Sequence, residues 1–63
     1  MNLVKMELMG GEIVEFDADT IKPYTIDGET YEKTAIASDG SLVAYCDSTN
    51  FWVHLWGSRP EDY

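Results

Sequence analysis

The sequence predicts an all-β domain, a small antiparallel barrel or strongly bent sheet of five to six short strands with meander connections and an SH3-like or OB-like closure. Three observations carry that expectation. Apolar and polar residues alternate with period two on both sides of Gly10-Gly11, as they do in half-buried strands. The dipeptides Gly10-Gly11, Asp27-Gly28 and Asp39-Gly40 tolerate the positive φ angles of two-residue hairpin turns. No window sustains apolar residues at helical spacing, and short strands limit their exposed edges best in a closed or bent sheet.

The first hairpin pairs LVKMELM with EIVEFDA. Val4, Met6 and Leu8 alternate with Lys5 and Glu7, and Val14, Phe16 and Ala18 alternate with Glu15 and Asp17, which makes a two-stranded ribbon with one apolar face. In DADTIK, Asp17 or Asp19 is suited to cap a single helical turn that Pro23 closes at once. A second hairpin pairs TIKPYTI with ETYEKTAIAS across Asp27-Gly28, and Pro23 assigns its first strand to a sheet edge or a loop. A third uses Asp39-Gly40 to bring in SLVAYCD, and the Ser48-Thr49-Asn50 stretch turns the chain into FWVHLW. Residues 1–57 then form a single β domain. Residues 58–63, with Pro60, Glu61 and Asp62, are expected to be a flexible, frayed tail.

The strand Phe51–Trp56 is apolar on both faces. Either Phe51, Val53 and Leu55 fill the core while Trp52, His54 and Trp56 stand outward, joined by Tyr45, Tyr31 or Tyr24 from neighbouring strands, or the strand is covered on both sides and the tryptophans are core. An outward pair of tryptophans would be an interaction surface, since Trp and Tyr are favoured interface anchors. A second copy of the chain is a further candidate to cover that face, with His54 making assembly sensitive to pH.

A chain of 63 residues buries only roughly 60% of the surface its unfolded form exposes, so stability needs an efficient core, a cross-link or a partner. Cys46 is the only cysteine, which excludes an internal disulfide and fits a reducing compartment. The N-terminal stretch lacks the basic-then-apolar pattern of a signal peptide, and nothing approaches the ~18 apolar residues of a membrane span. A cytoplasmic protein without membrane association is expected.

Twelve acidic residues against four basic ones give a net charge of −8. That charge repels phosphate backbones, which argues against direct nucleic-acid binding and against base stacking on an aromatic face. It would draw the chain towards a basic protein, including the nucleic-acid groove of another protein. Solubility is the other account of the same charge.

Catalytic chemistry finds few convergent groups, and no catalytic residue is assigned. His54 is the only histidine, and Cys46 shares its strand side with Leu42 and Ala44, as a small core thiol does. Counting Cys and His alone, the chain offers two zinc donors where three or four are needed, so no metal or other cofactor is expected. Asp17-Ala18-Asp19-Thr20 matches a phosphatase string, but a chain this short has no parallel sheet with crossover helices to present it. Asp17, Asp19 and Asp27 lack the spacing and closing glutamate of a calcium loop, and no helix follows Gly10-Gly11 as a phosphate loop requires.

The segments VKMELMGGEIVEFDAD and DGSLVAYCD, followed by an aromatic strand, resemble small β-sheet proteins encoded in phages and prophages. Those proteins often begin with an alternating strand, a Gly-Glu turn and a strand ending in Phe-Asp-Ala. The resemblance implies a host-cytoplasmic context and, for small acidic members, stoichiometric inhibition of host nucleases or polymerases, as a nucleic-acid mimic would achieve. It implies no site residues. The expectation is a non-enzymatic binding protein whose partner-binding residues are Trp52, His54, Trp56 and Tyr45 together with Glu12, Glu15, Asp17 and Asp19. The alternative expectation is a homo-oligomeric structural or assembly accessory protein that uses the aromatic face as its subunit contact.

Overall fold

The computed structural model describes Met1–Tyr63 and contains six strands: β1 (Leu3–Glu7), β2 (Ile13–Asp17), β3 (Lys22–Ile26), β4 (Glu29–Ile36), β5 (Leu42–Cys46) and β6 (Phe51–Trp56). The fold is all-β, with one 3-10 turn at Ala18–Thr20. Strands β1 and β2 form a two-stranded sheet, and β3-β4-β5-β6 form a four-stranded meander, every ladder antiparallel. The sheets do not merge into a continuous barrel. Single bridges, Phe16 to Ala37 and Leu8 to Trp52, tie the hairpin to the larger sheet at two places.

The turns follow from their glycines. Asp27 and Gly28 both have positive φ, 51° and 80°, and connect Ile26 to Glu29 as the expected two-residue turn. The other two glycine turns are one residue longer than expected. Gly11 N–H donates to Leu8 O and Leu8 N–H to Glu12 O, while Gly40 N–H donates to Ala37 O and Ala37 N–H to Ser41 O. Each is a three-residue loop with a left-handed glycine last, at φ 89° for Gly11 and 91° for Gly40, a geometry that matches strand twist. Asn50 ends the last turn at φ 60°. Asp17 caps the 3-10 turn, its carboxylate accepting from Asp19 N–H at 3.0 Å. Strand β3 lies at the sheet edge and its ladder slips between Lys22 and Tyr24, where Pro23 has no N–H to give.

The inner face of the hairpin packs Leu8, Val14 and Phe16, with Val4, against Ala35, Ala37, Val43 and Trp52 of the sheet. On the sheet's second face Thr34, Leu42 and Ala44 are also fully buried. The C-terminal segment, expected to fray, lies against that second face. Pro60 is buried, Thr34 Oγ1 donates to Lys22 O at 2.7 Å and lies 3.1 Å from the Tyr63 hydroxyl, and the Tyr24 hydroxyl donates to Asp62. The ring of Tyr63 sits 5.2 Å from that of Tyr24, and the ammonium of Lys22 is 4.1 Å from its centroid. The four-stranded sheet is therefore covered by the hairpin on one face and, at β3 and β4, by the tail on the other, while Phe51 and Trp56 of β6 stay 44% exposed.

Candidate functional site

The aromatic strand does not present one uniform face. Its ladder pairs Val43 with His54 but Leu42 with Trp56, so Leu55 is an extra residue on β6. Paired residues project to the same side, and the bulge therefore puts Trp56 on the side of Leu42 while Trp52 and His54 stay on the side of Tyr45 and Val43. Trp52 is only 7% exposed; its ring lies 4.7 Å from Phe16 and 5.8 Å from Tyr45. Tyr45 is half-buried, donates its hydroxyl to Asn50 Oδ1 at 3.1 Å and carries the Lys33 ammonium 5.3 Å above its ring. Phe51, expected inside if Trp52 pointed out, is 44% exposed, as is Trp56. Of the four aromatic and imidazole residues expected at a partner surface, Trp56 and His54 are exposed and lie on opposite faces, Trp52 is in the core, and Tyr45 is its edge.

The carboxylates are spread along the hairpin. On its outer face Leu3 pairs with Asp17, Lys5 with Glu15 and Glu7 with Ile13. Asp17 accepts from the Asn2 N–H at 2.9 Å as well as from Asp19, and these backbone donors, that of Asn2 first, hold its carboxyl below the usual range. Asp19 forms the one ion pair of the molecule, 3.5 Å from the N-terminal ammonium. Between the acids Leu3 and Ile13 stand 53% and 59% exposed. Period-two alternation alone marks both as outward positions.

Glu12 lies apart from that face and beside His54. Donor atoms of Glu12, Asp39 and His54 all lie within 4.8 Å of one another. Asp39 is fixed in place because its Oδ1 accepts both the Ser41 hydroxyl, at 2.6 Å, and the Ser41 N–H, at 2.9 Å. The Ser41 hydroxyl is the main cause that holds the Asp39 carboxyl below its usual range, with His54 contributing. A groove of about 200 Å³ adjoins the group, lined by Leu8, Met9, Gly10, Val53 and the same Glu12 and His54. Counting only Cys and His as donors conceals this group. Its carboxylates belong to two turns remote in sequence, and only the turn geometry brings them to β6.

Cys46, expected in the core, is half-buried at the end of β5, with its sulfur 3.1 Å from the Ser48 hydroxyl. That hydroxyl is the leading cause lowering the thiol's pKa. No histidine, lysine or second thiol accompanies it in the way a nucleophile requires. No helix of the structure is long and apolar enough to cross a membrane.

No protein-family model, no curated protein and no solved structure matches the chain.

Proposed function

We propose that the chain is a non-enzymatic acidic binding protein that engages a basic, nucleic-acid-handling protein through the outer face of the β1–β2 hairpin. The observation that carries this reading is the exposure of Leu3 and Ile13 among Glu7, Glu15, Asp17 and Asp19. Two large aliphatic side chains in an acidic field combine short-range apolar contact with long-range attraction. The net charge of −8 speeds encounter with a basic surface and makes it dependent on salt. With Trp52 in the core, the apolar part of recognition passes to the aliphatic pair.

The immobilised chain, exposed to a cell lysate at low and high salt, tests this reading. Basic nucleic-acid-binding proteins should be retained at low salt and lost when Ile13→Lys and Glu15→Lys are combined. Equal retention by that variant, or no retention of basic proteins, would sink the proposal.

A second reading, a homo-oligomer, draws on Phe51 and Trp56, which are each 44% exposed and project to the same side of β6 as its partners Cys46 and Leu42. Sedimentation across a concentration series decides it: a mass that rises with concentration and falls back in Trp56→Glu supports self-association, and a constant monomer mass ends it.

A further inference from the structure

We propose that Glu12, Asp39 and His54 form a binding site for a first-row divalent cation of the zinc type, with an open coordination position facing the groove between the β1–β2 turn and β6. Three donors of two chemical kinds converge from three separate places: the residue after the Gly10-Gly11 turn, the turn between β4 and β5, and the middle of β6. Their ligand atoms lie within 4.8 Å of one another, a separation that a shift of side-chain rotamers closes around a cation with bonds of about 2.0–2.2 Å. One imidazole with two carboxylate oxygens suits zinc and its first-row neighbours, since imidazole draws the site away from magnesium and calcium, which prefer all-oxygen sets.

Two further features of the molecule support the assignment. The carboxylate of Asp39 is oriented from behind, because Ser41, itself 1% exposed, gives both its hydroxyl and its N–H to Oδ1. Such an outer hydrogen bond leaves Oδ2 available and fixes its direction, as supporting residues do around metal ligands. In addition, neither Glu12 nor Asp39 has a lysine or arginine partner, the only ion pair being that of Met1 with Asp19. Two carboxylates thus converge on an imidazole with no lysine or arginine beside them to balance their charge.

Three protein donors leave a fourth position of a tetrahedral ion to water or to an external ligand. The groove of about 200 Å³, with Leu8, Met9 and Val53 on its walls, opens beside Glu12 and His54 and has room for it. Binding would also clip the first hairpin to the four-stranded sheet, adding to the core contacts between them, since their backbones pair at only two isolated bridges. A cation bound by the folded chain alone must raise its thermal midpoint.

The test is titration of the purified full-length chain with zinc chloride, followed by calorimetry, by the His54 ring resonances and by the thermal midpoint. The expected result is one ion per chain, a shift of the His54 resonances and a higher midpoint. His54→Ala should abolish binding, and Glu12→Gln and Asp39→Asn should each weaken it by about tenfold or more. All three positions are exposed, so amide spectra should show each variant folded; Asp19→Asn and Cys46→Ser should bind as the parent does. Absence of binding, unchanged affinity in His54→Ala, or loss of binding in Cys46→Ser would each overturn the site.

Discussion

The ring centroids of Phe16 and Trp52 lie 4.7 Å apart with their planes tilted by 49°, and this contact joins the β1–β2 hairpin to the last strand of the larger sheet. Phe16 is 1% exposed and Trp52 7%, so both rings are withdrawn from water. The tilted geometry adds to area burial. The hairpin contributes few backbone bonds to the sheet, and its attachment rests mainly on these side chains.

Trp52→Ala should therefore act on stability before it acts on any partner. Truncating a buried tryptophan costs about 3–5 kcal/mol, while a domain of this length has roughly 3–9 kcal/mol in all. Urea unfolding should show the variant largely unfolded at 25 °C, with Trp52→Phe intermediate. A Trp52→Ala chain as stable as the parent would mean that the hairpin is held by something other than this ring pair.

The docking of the tail should fail at high pH. The Tyr24 hydroxyl donates to the Asp62 carboxylate, and that bond is the first cause pushing its pKa up to about 12. A raised value in the folded state means that the bond's stabilisation is complete below the unfolded value of about 10 and is lost as pH rises through the folded value. Titration of the four tyrosines by absorbance should show Tyr24 ionising last, with Tyr31 also late because burial raises it, and Asp62→Asn should bring only Tyr24 back down. An unchanged titration in Asp62→Asn would show that the tail does not hold Tyr24.

The first strand should loosen in acid for the opposite reason. The Asp17 carboxylate accepts N–H bonds from Asn2 and Asp19 and sits below its usual range. A depressed folded pKa gives a stabilisation that is present above the unfolded value and disappears as pH falls through the folded one. Asp17→Asn should melt below the parent at neutral pH, and the gap should close at low pH. A gap that persists in strong acid would assign the effect to packing.

Much of the architecture was legible in the sequence because alternation and turn chemistry act locally. Val14 and Phe16 face inward and Glu15 outward by period two alone, and Asp27-Gly28 specifies its turn by the φ angles it permits. The sidedness of the aromatic strand was not legible. It depends on the bulge at Leu55, which turns Trp56 to the face opposite Trp52, and on the hairpin that lays Phe16 over Trp52. The convergence of Glu12, Asp39 and His54 was hidden for the same reason, since no spacing in the chain encodes a distance between two turns and a strand.

Gly10 and Gly11 are indistinguishable in the sequence and should differ sharply on substitution. Gly11 has φ 89° and Gly10 does not have a positive φ, while a Cβ at either position would meet nothing within 4 Å. The difference is thus purely one of backbone conformation. Gly11→Ala forces an L-residue into the left-handed region and should cost about 1–2 kcal/mol. Gly10→Ala removes freedom only from the unfolded chain and should be neutral or stabilising by up to about 1 kcal/mol. Denaturant midpoints of the two variants measured side by side check the pair, and a loss at Gly10 equal to that at Gly11 would mean that the loop takes a two-residue form instead of the three-residue turn closed by Leu8 and Glu12.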